Sequence, residues 1–217
     1  LHRRRTAIAL SAALVAAPVL TACGDSGHPG AAAVVGGQRI TVAQLESRVK
    51  EVRTAQRAAA PDATQYQQTV ARTGGLARDT LHSLVLERVL DRAARNAGVT
   101  ATRRDVEQLR TSLEQQAGGA GALKSIWLDQ YGVAPGRIDD NLRTEVEAQK
   151  LSAALGADMN TTDGKAVFWK AMAGASKELH IDLNPRYGTW DVQKSSRVDA
   201  KTPWVKEASA TGTPQTA

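Results

Sequence analysis

A chain of 217 residues with 42% hydrophobic, 23% charged and only 4% aromatic residues has enough apolar mass for one globular domain with tails, and too little for two full ones. The shortage of aromatics leaves the core to Leu, Val, Ile and Ala, the usual material of helix bundles. Formal charge is +6, half of it carried by Arg3, Arg4 and Arg5, and no Lys/Arg stripe is interleaved with aromatics, which argues against nucleic acid as a partner.

The chain starts with an address. Residues 1–22 read as a signal peptide: a basic start, an apolar run over 6–20 broken only by Pro18, then Leu20-Thr21-Ala22-Cys23. The run is shorter than the roughly 20 residues that span a bilayer, so a cleaved leader is expected rather than a permanent membrane helix. The last four residues resemble a bacterial lipobox, which implies acylation of Cys23 (diacylglycerol, palmitate) and cleavage just before it. That site calls for a thiolate nucleophile, with a small residue such as Ala22 ahead of the cut. Two acyl chains suffice for durable anchoring, so the expected location is the cell membrane, on its extracytoplasmic face. The chain has a single Cys, which excludes an internal disulfide. Residues 23–31, rich in Gly with Asp25, Ser26 and Pro29, read as the lipidated tether.

Ala33-Val34-Val35, Gly36-Gly37 and Gln38-Arg39-Ile40 then read as a hairpin, because adjacent glycines permit the positive φ angles of a two-residue turn. Thr41 caps a helix, with Gln44 completing a capping box. Val42, Leu45, Val49 and Val52 share one face until Pro61 stops the run. Residues 62–75 read as a short helix or loop.

The next stretch, 76–113, is the hub. Leu81, Leu84, Val85 and Val89, with Leu86 and Leu90, make a wide apolar face, while Arg78, Asp79, Glu87, Arg88, Asp91, Arg92 and Arg95 make the wet side. Gly98 supplies a left-handed stop, and Thr102 with Asp105 restarts the chain as an acidic capping box ahead of Val106, Leu109 and Leu113. Two helices joined this tightly are expected to pack on each other.

Gly118-Gly119-Ala120-Gly121 lacks the preceding strand and following Gly-Lys-Ser/Thr of a phosphate loop, so it reads as a connector. Leu123, Ile126, Trp127 and Tyr131 mark a short helix stopped by Gly132. Pro135 opens a long helix with Ile138, Leu142, Val146, Leu151 and Leu155 inward, ended by Gly156. Residues 158–164 read as a polar turn and 165–173 as a brief helix presenting Phe168 and Trp169. Leu179-His180-Ile181-Asp182-Leu183 alternates like a strand closed by Asn184-Pro185. From residue 192 to 217 the Ser, Thr, Lys and Pro content predicts a disordered tail, with Trp204 free to dock.

The hairpin Val34-Val35-Gly36-Gly37-Gln38-Arg39-Ile40-Thr41 resembles the Val-Asn-Gly-Glu-x-Ile-Thr opening of the SurA N-terminal domain family, with Gly36 in place of Asn. Leu86-Glu87-Arg88 through Asp105-Val106 is similar to the same family, and Asn184-Pro185-Arg186-Tyr187-Gly188-Thr189-Trp190-Asp191 resembles the closing stretch of SurA-like lipoproteins of actinobacteria. The resemblance covers residues 32–191. It implies a mainly α domain with a small β element formed where the N-terminal hairpin meets the closing strand. It also implies a chaperone whose partners are unfolded or nascent secreted polypeptides.

Many members carry a parvulin prolyl isomerase between the long helix and the closing strand. Here only about twenty residues stand in that place, too few for an independent core. With His2, His28, His82 and His180 scattered, and no Gly-x-Ser-x-Gly or paired-His spacing, the expected catalytic residues, metal ligands and cofactors are none. His82 reads as a partly exposed surface residue. The leading expectation is a membrane-anchored holdase-type chaperone. The alternatives are a non-catalytic assembly lipoprotein with one dedicated envelope partner, or a residual peptidyl-prolyl isomerase. Trp127 and Tyr131 are the candidate peptide-groove residues, although helical apolar stripes usually face inward. Only two Met residues are present, so a Met-rich adaptable surface is missing.

Overall fold

The computed structural model describes residues 29–199. The signal peptide, Cys23, most of the tether and the tail from residue 200, Trp204 included, lie outside the described residues. The described part opens with a hairpin of β1 (Ala31–Val35) and β2 (Gln38–Thr41), joined by Gly36 and Gly37 at φ 58° and 75°. This is the double left-handed step of a tight turn between twisted strands. Thr41 and Gln44 form the reciprocal cap of α1 (Val42–Ala59), and Asp62 caps a short α2 (Ala63–Arg72). The hub is α3 (Leu76–Asn96). Its Leu81, Val85 and Val89 are fully buried, each worth about 1.5–3 kcal/mol of apolar transfer. Gly98 ends it at φ 70°, with the Val99 amide donating back to the Ala94 carbonyl at 2.9 Å.

The second capping box holds: Thr102 and Asp105 cap each other at the start of α4 (Arg103–Ala117). The expectation that α3 and α4 pack together does not. The two share almost no surface, and α4 lies along α5 (Ala120–Tyr131) and α6 (Ile138–Ala154), the latter entered through a 3-10 turn at Pro135–Arg137. There Val106, Leu109 and Leu113 cover Leu123, Ile138 and Leu142. Polar ties hold α4 to α6: Lys150 donates to the Thr100 carbonyl and pairs with Asp105, and Arg110 pairs with Asp139 at 2.6 Å. The Lys150 ammonium and the Thr102 hydroxyl and amide hold the Asp105 carboxyl well below the usual carboxylate range.

The polar turn expected over 158–164 stops at Thr161, and the brief helix expected over 165–173 is a longer one, α7 (Thr162–Glu178), capped by Thr161 and docked on α3 through Phe168, Met172 and Ala175. Its extra turns are written in Ala, Gly, Ser and Lys, which carry little apolar rhythm. The strand expected from Leu179 shrinks to β3 (Asp182–Leu183), because Leu179 still caps α7 and His180 turns left-handed at φ 43°. β3 pairs antiparallel with β1, giving the order β2-β1-β3, and Asn184 ties the end with a 2.9 Å bond from its amide to the Ala32 carbonyl. The N-terminal hairpin and β3 therefore do meet in one small sheet. Together with α1, α3, α7 and the end of α6 they form the main core.

Of the tail expected to be disordered over 192–217, the part as far as residue 199 is ordered instead. After a 3-10 turn at Pro185–Tyr187, β4 (Thr189–Asp191) and β5 (Ser196–Val198) form a second hairpin against α3. Trp190 holds it, its indole N–H donating 2.6 Å to the Ser176 hydroxyl and its ring lying 5.6 Å from that of His82. His82 is thus half-buried and accepts from the Arg197 amide at its Nδ1, 3.4 Å away. Burial, with the Arg197 guanidinium behind it and Asp79 opposing, pushes its pKa below the usual histidine value; Arg78 and Asp199, paired at 3.7 Å, flank the same place. A depressed histidine stabilises the fold above its unfolded pKa, about 6.5, and that contribution is lost as pH falls from there toward the folded value. Amide exchange in β4 and β5 is therefore expected to speed up between pH 7 and pH 5, with His82→Gln flattening the change. An identical pH response in both proteins would exclude His82 as its source.

Candidate functional site

A cleft of about 250 Å³ opens at the boundary between the two halves of the molecule. On one side stand Arg48, Glu51 and Val52 of α1 and Leu76, Asp79, Thr80, Ser83, Leu84 and Glu87 of α3. On the other stand Tyr131, the Gly132-Val133-Ala134 link, Arg137, Asp140 and Asn141. The cleft exists because α5 ends at Gly132, φ 62°, and the chain turns across the middle of α1, at Arg48, Glu51 and Val52, before α6 begins. Behind it Val52, Leu76, Leu128 and Ala134 form a small closed cluster that makes its floor apolar.

The walls are braced by charge. Arg137 grips Glu51 through two bonds of 2.7 and 2.9 Å and reaches Asp140 at 3.3 Å, while Arg48 pairs with Asp140 at 3.6 Å. The bidentate bond from Arg137 holds the Glu51 carboxyl below the usual carboxylate range, and Glu51 in turn raises Arg137. Arg137 joins the α6 entry to α1, so this brace sets the width of the cleft. As a partly exposed pair it contributes geometry more than stability.

Glu87 differs from these. Among the described residues its carboxylate makes no hydrogen bond or ion pair, yet it is half-buried. Burial pushes its pKa up; Arg48 and Arg88 oppose, and Asp140 and Glu147 add to the rise. Two further hollows open beside the cleft, one reaching Ile40 and Gln44, the other Arg143 and Glu147, and Glu87 and Arg48 line both as well.

The two groove candidates separate. Tyr131 is 62% exposed and lines the cleft. Trp127 lies one turn back, its ring 5.3 Å from that of Tyr131, and packs against the α4–α5–α6 core with its indole N–H donating 2.8 Å to Asn141. It supports the wall rather than facing the opening. Cys23 lies outside the described residues. Glu87, Arg48, Glu51 and Arg137 were not singled out from sequence as a site. The one local signal was at Glu87, whose neighbours three and four residues away (Ser83, Leu84, Leu90, Asp91) include no cation to pair with it. Among the described residues no group of three or more His, Cys, Asp or Glu converges as a metal site, and no helix is long and apolar enough to cross a membrane.

Fold and cleft together define a small, mainly helical domain closed by pairing of β1 with β3, with one side open between α1, α3 and the α5–α6 link. The chain belongs to the SurA-like N-terminal domain family, which residues 2–152 match. The match ends within α6, short of the 32–191 span of the resemblance, and takes in every element that lines the cleft. Membership brings a chaperone-like, folding-related role, in a family associated with binding unfolded proteins. No curated protein and no solved structure matches the chain.

Proposed function

We propose that the protein is a lipid-anchored holdase on the extracytoplasmic face of the membrane, shielding apolar segments of unfolded secreted or envelope polypeptides in the α1–α3–α6 cleft. The observation that carries this reading is the cleft itself: an apolar floor, a braced width, and a tyrosine left 62% exposed at its rim. An aromatic ring held in the open beside apolar surface is a common anchor for a polypeptide partner. The role is holding rather than proline isomerisation. The span between α6 and β3 is occupied by α7, 17 residues spent on the core of the domain. Acylation of Cys23 supplies the anchor, as its Leu-Thr-Ala-Cys setting suggests.

Full chain added to a chemically denatured client on dilution is expected to suppress light scattering near stoichiometric ratio. Absence of suppression, with one stable partner recovered from membranes, would transfer the role to dedicated assembly. A proline-isomerisation rate above buffer would overturn the non-catalytic reading. Mass spectrometry of the mature N-terminus is expected to show an acylated cysteine, and Cys23→Ser to move the protein from the membrane to the soluble fraction.

A further inference from the structure

Glu87 stands where three hollows meet, its carboxylate half-buried and without a hydrogen bond or ion pair among the described residues. Of the cations around it, Arg137 is held by Glu51 and Asp140, Arg48 lies 3.6 Å from Asp140, and Arg88 donates to the Gln38 carbonyl at 3.3 Å; none of the three makes an ion pair with Glu87. Asp79, further along α3 on the same cleft, likewise makes no ion pair among the described residues. The cleft thus pairs an apolar floor with a net surplus of carboxylate, and the surplus is greatest along α3. Charge taken partly out of water without a partner is costly, and a cation delivered to it recovers that cost.

We propose that the cleft selects unfolded segments in which an apolar side chain stands beside a Lys or Arg, the apolar group entering against Val52, Leu76 and Tyr131 and the cation reaching Glu87. This rests on the holdase reading and names the class of sequence it prefers. The distribution of charge fits such an occupant and disfavours an acidic one. The burial that raises the Glu87 pKa is relieved when a cation arrives, so binding should also hold that carboxyl ionised.

The test uses full chain and three labelled peptides of equal length that share a central Leu and carry Lys, Gln or Glu beside it, read by fluorescence anisotropy. The Lys peptide is expected to bind roughly tenfold tighter than the Gln peptide, with the Glu peptide weakest. Glu87→Gln should erase the advantage of the Lys peptide over the Gln peptide, and Glu87→Lys should reverse the order. Equal affinity for all three peptides would overturn the charge selection and leave the holdase reading standing. Absence of binding together with absence of aggregation suppression would remove both. A Lys preference that survives Glu87→Gln would overturn the assignment to this carboxylate. The chain carries Trp204 between Lys201 and Lys206; a general tightening of peptide binding in Trp204→Ser would give the cleft to the protein's own segment and overturn an external occupant.

Discussion

Alanine is expected to have opposite effects at two glycines of α7. Gly164 lies in the first turn, buried beneath the loop that leads into the helix, where a Cβ would fall 2.0 Å from the Asp158 carbonyl oxygen and 2.5 and 2.6 Å from Asp158 C and N. These are backbone atoms, and the same carbonyl accepts both the Thr161 amide at 3.0 Å and its hydroxyl at 2.9 Å. Relief therefore means unseating the cap of α7, and with it the fit of Phe168 and Met172 in the main core. Gly164→Ala is expected to cost about 3 kcal/mol, the upper range of overpacking effects. Gly174, in the same helix, is exposed and has nothing within 4 Å of a built Cβ. Gly174→Ala is expected to add about 0.5–1 kcal/mol, because alanine has less backbone freedom to lose on folding. Urea midpoints at constant slope check both signs. A Gly164→Ala protein as stable as its parent would mean that the α6–α7 loop adapts freely and plays no part in seating α7.

Trp127 and Tyr131 give the second large contrast, and here the expected split is between stability and function. Truncating Trp127 removes a ring packed on Leu123, Ile138 and Leu142 and leaves Asn141 without its indole donor, so Trp127→Ala is expected to cost about 3 kcal/mol. Tyr131, 62% exposed, should cost no more than about 0.5 kcal/mol on the same change. In client capture the order reverses. Tyr131→Ala is expected to weaken binding of an unfolded client roughly tenfold at undiminished stability, the behaviour of an aromatic anchor. Trp127→Ala should act on capture only to the extent that it unfolds the α4–α5–α6 unit. Normal capture by a stably folded Tyr131→Ala protein would remove the cleft rim from the binding surface.

Much of the fold was legible because its signals are short-ranged. Thr41 with Gln44, Thr102 with Asp105, the Gly36-Gly37 turn and the stops at Gly98, Gly132 and Gly156 each act on a backbone only a few residues away, and each is found where the pattern places it. Apolar spacing likewise identified the inward faces of α1, α3 and α6. It did less well where the alphabet is small. The Ala- and Gly-rich turns of α7 look like loop until the helix is seen against α3, and β5 is a polar strand that acquires order from Trp190, His82 and the backbone it pairs with.

Which stripe covers which is a long-range matter. The chain alone showed that α4 has an apolar face; that this face meets α5 and α6 instead of its neighbour α3 depends on the summed fit of side chains up to forty-odd positions apart, as Lys150 with Asp105 illustrates. The cleft follows from that choice, since α4, α5 and the first turns of α6 pack as a unit beside α1 and α3 and leave a gap where the two halves meet. Tyr131 and Trp127, indistinguishable as aromatics four residues apart on one helix, receive opposite surroundings there. Sequence settled the turns, caps, apolar faces and family, all of which rest on neighbouring residues or on recognisable motifs. The groove, its unpaired Glu87 and its exposed Tyr131 arose only when distant helices met, because burial and ion pairing are properties of what the folded chain brings together.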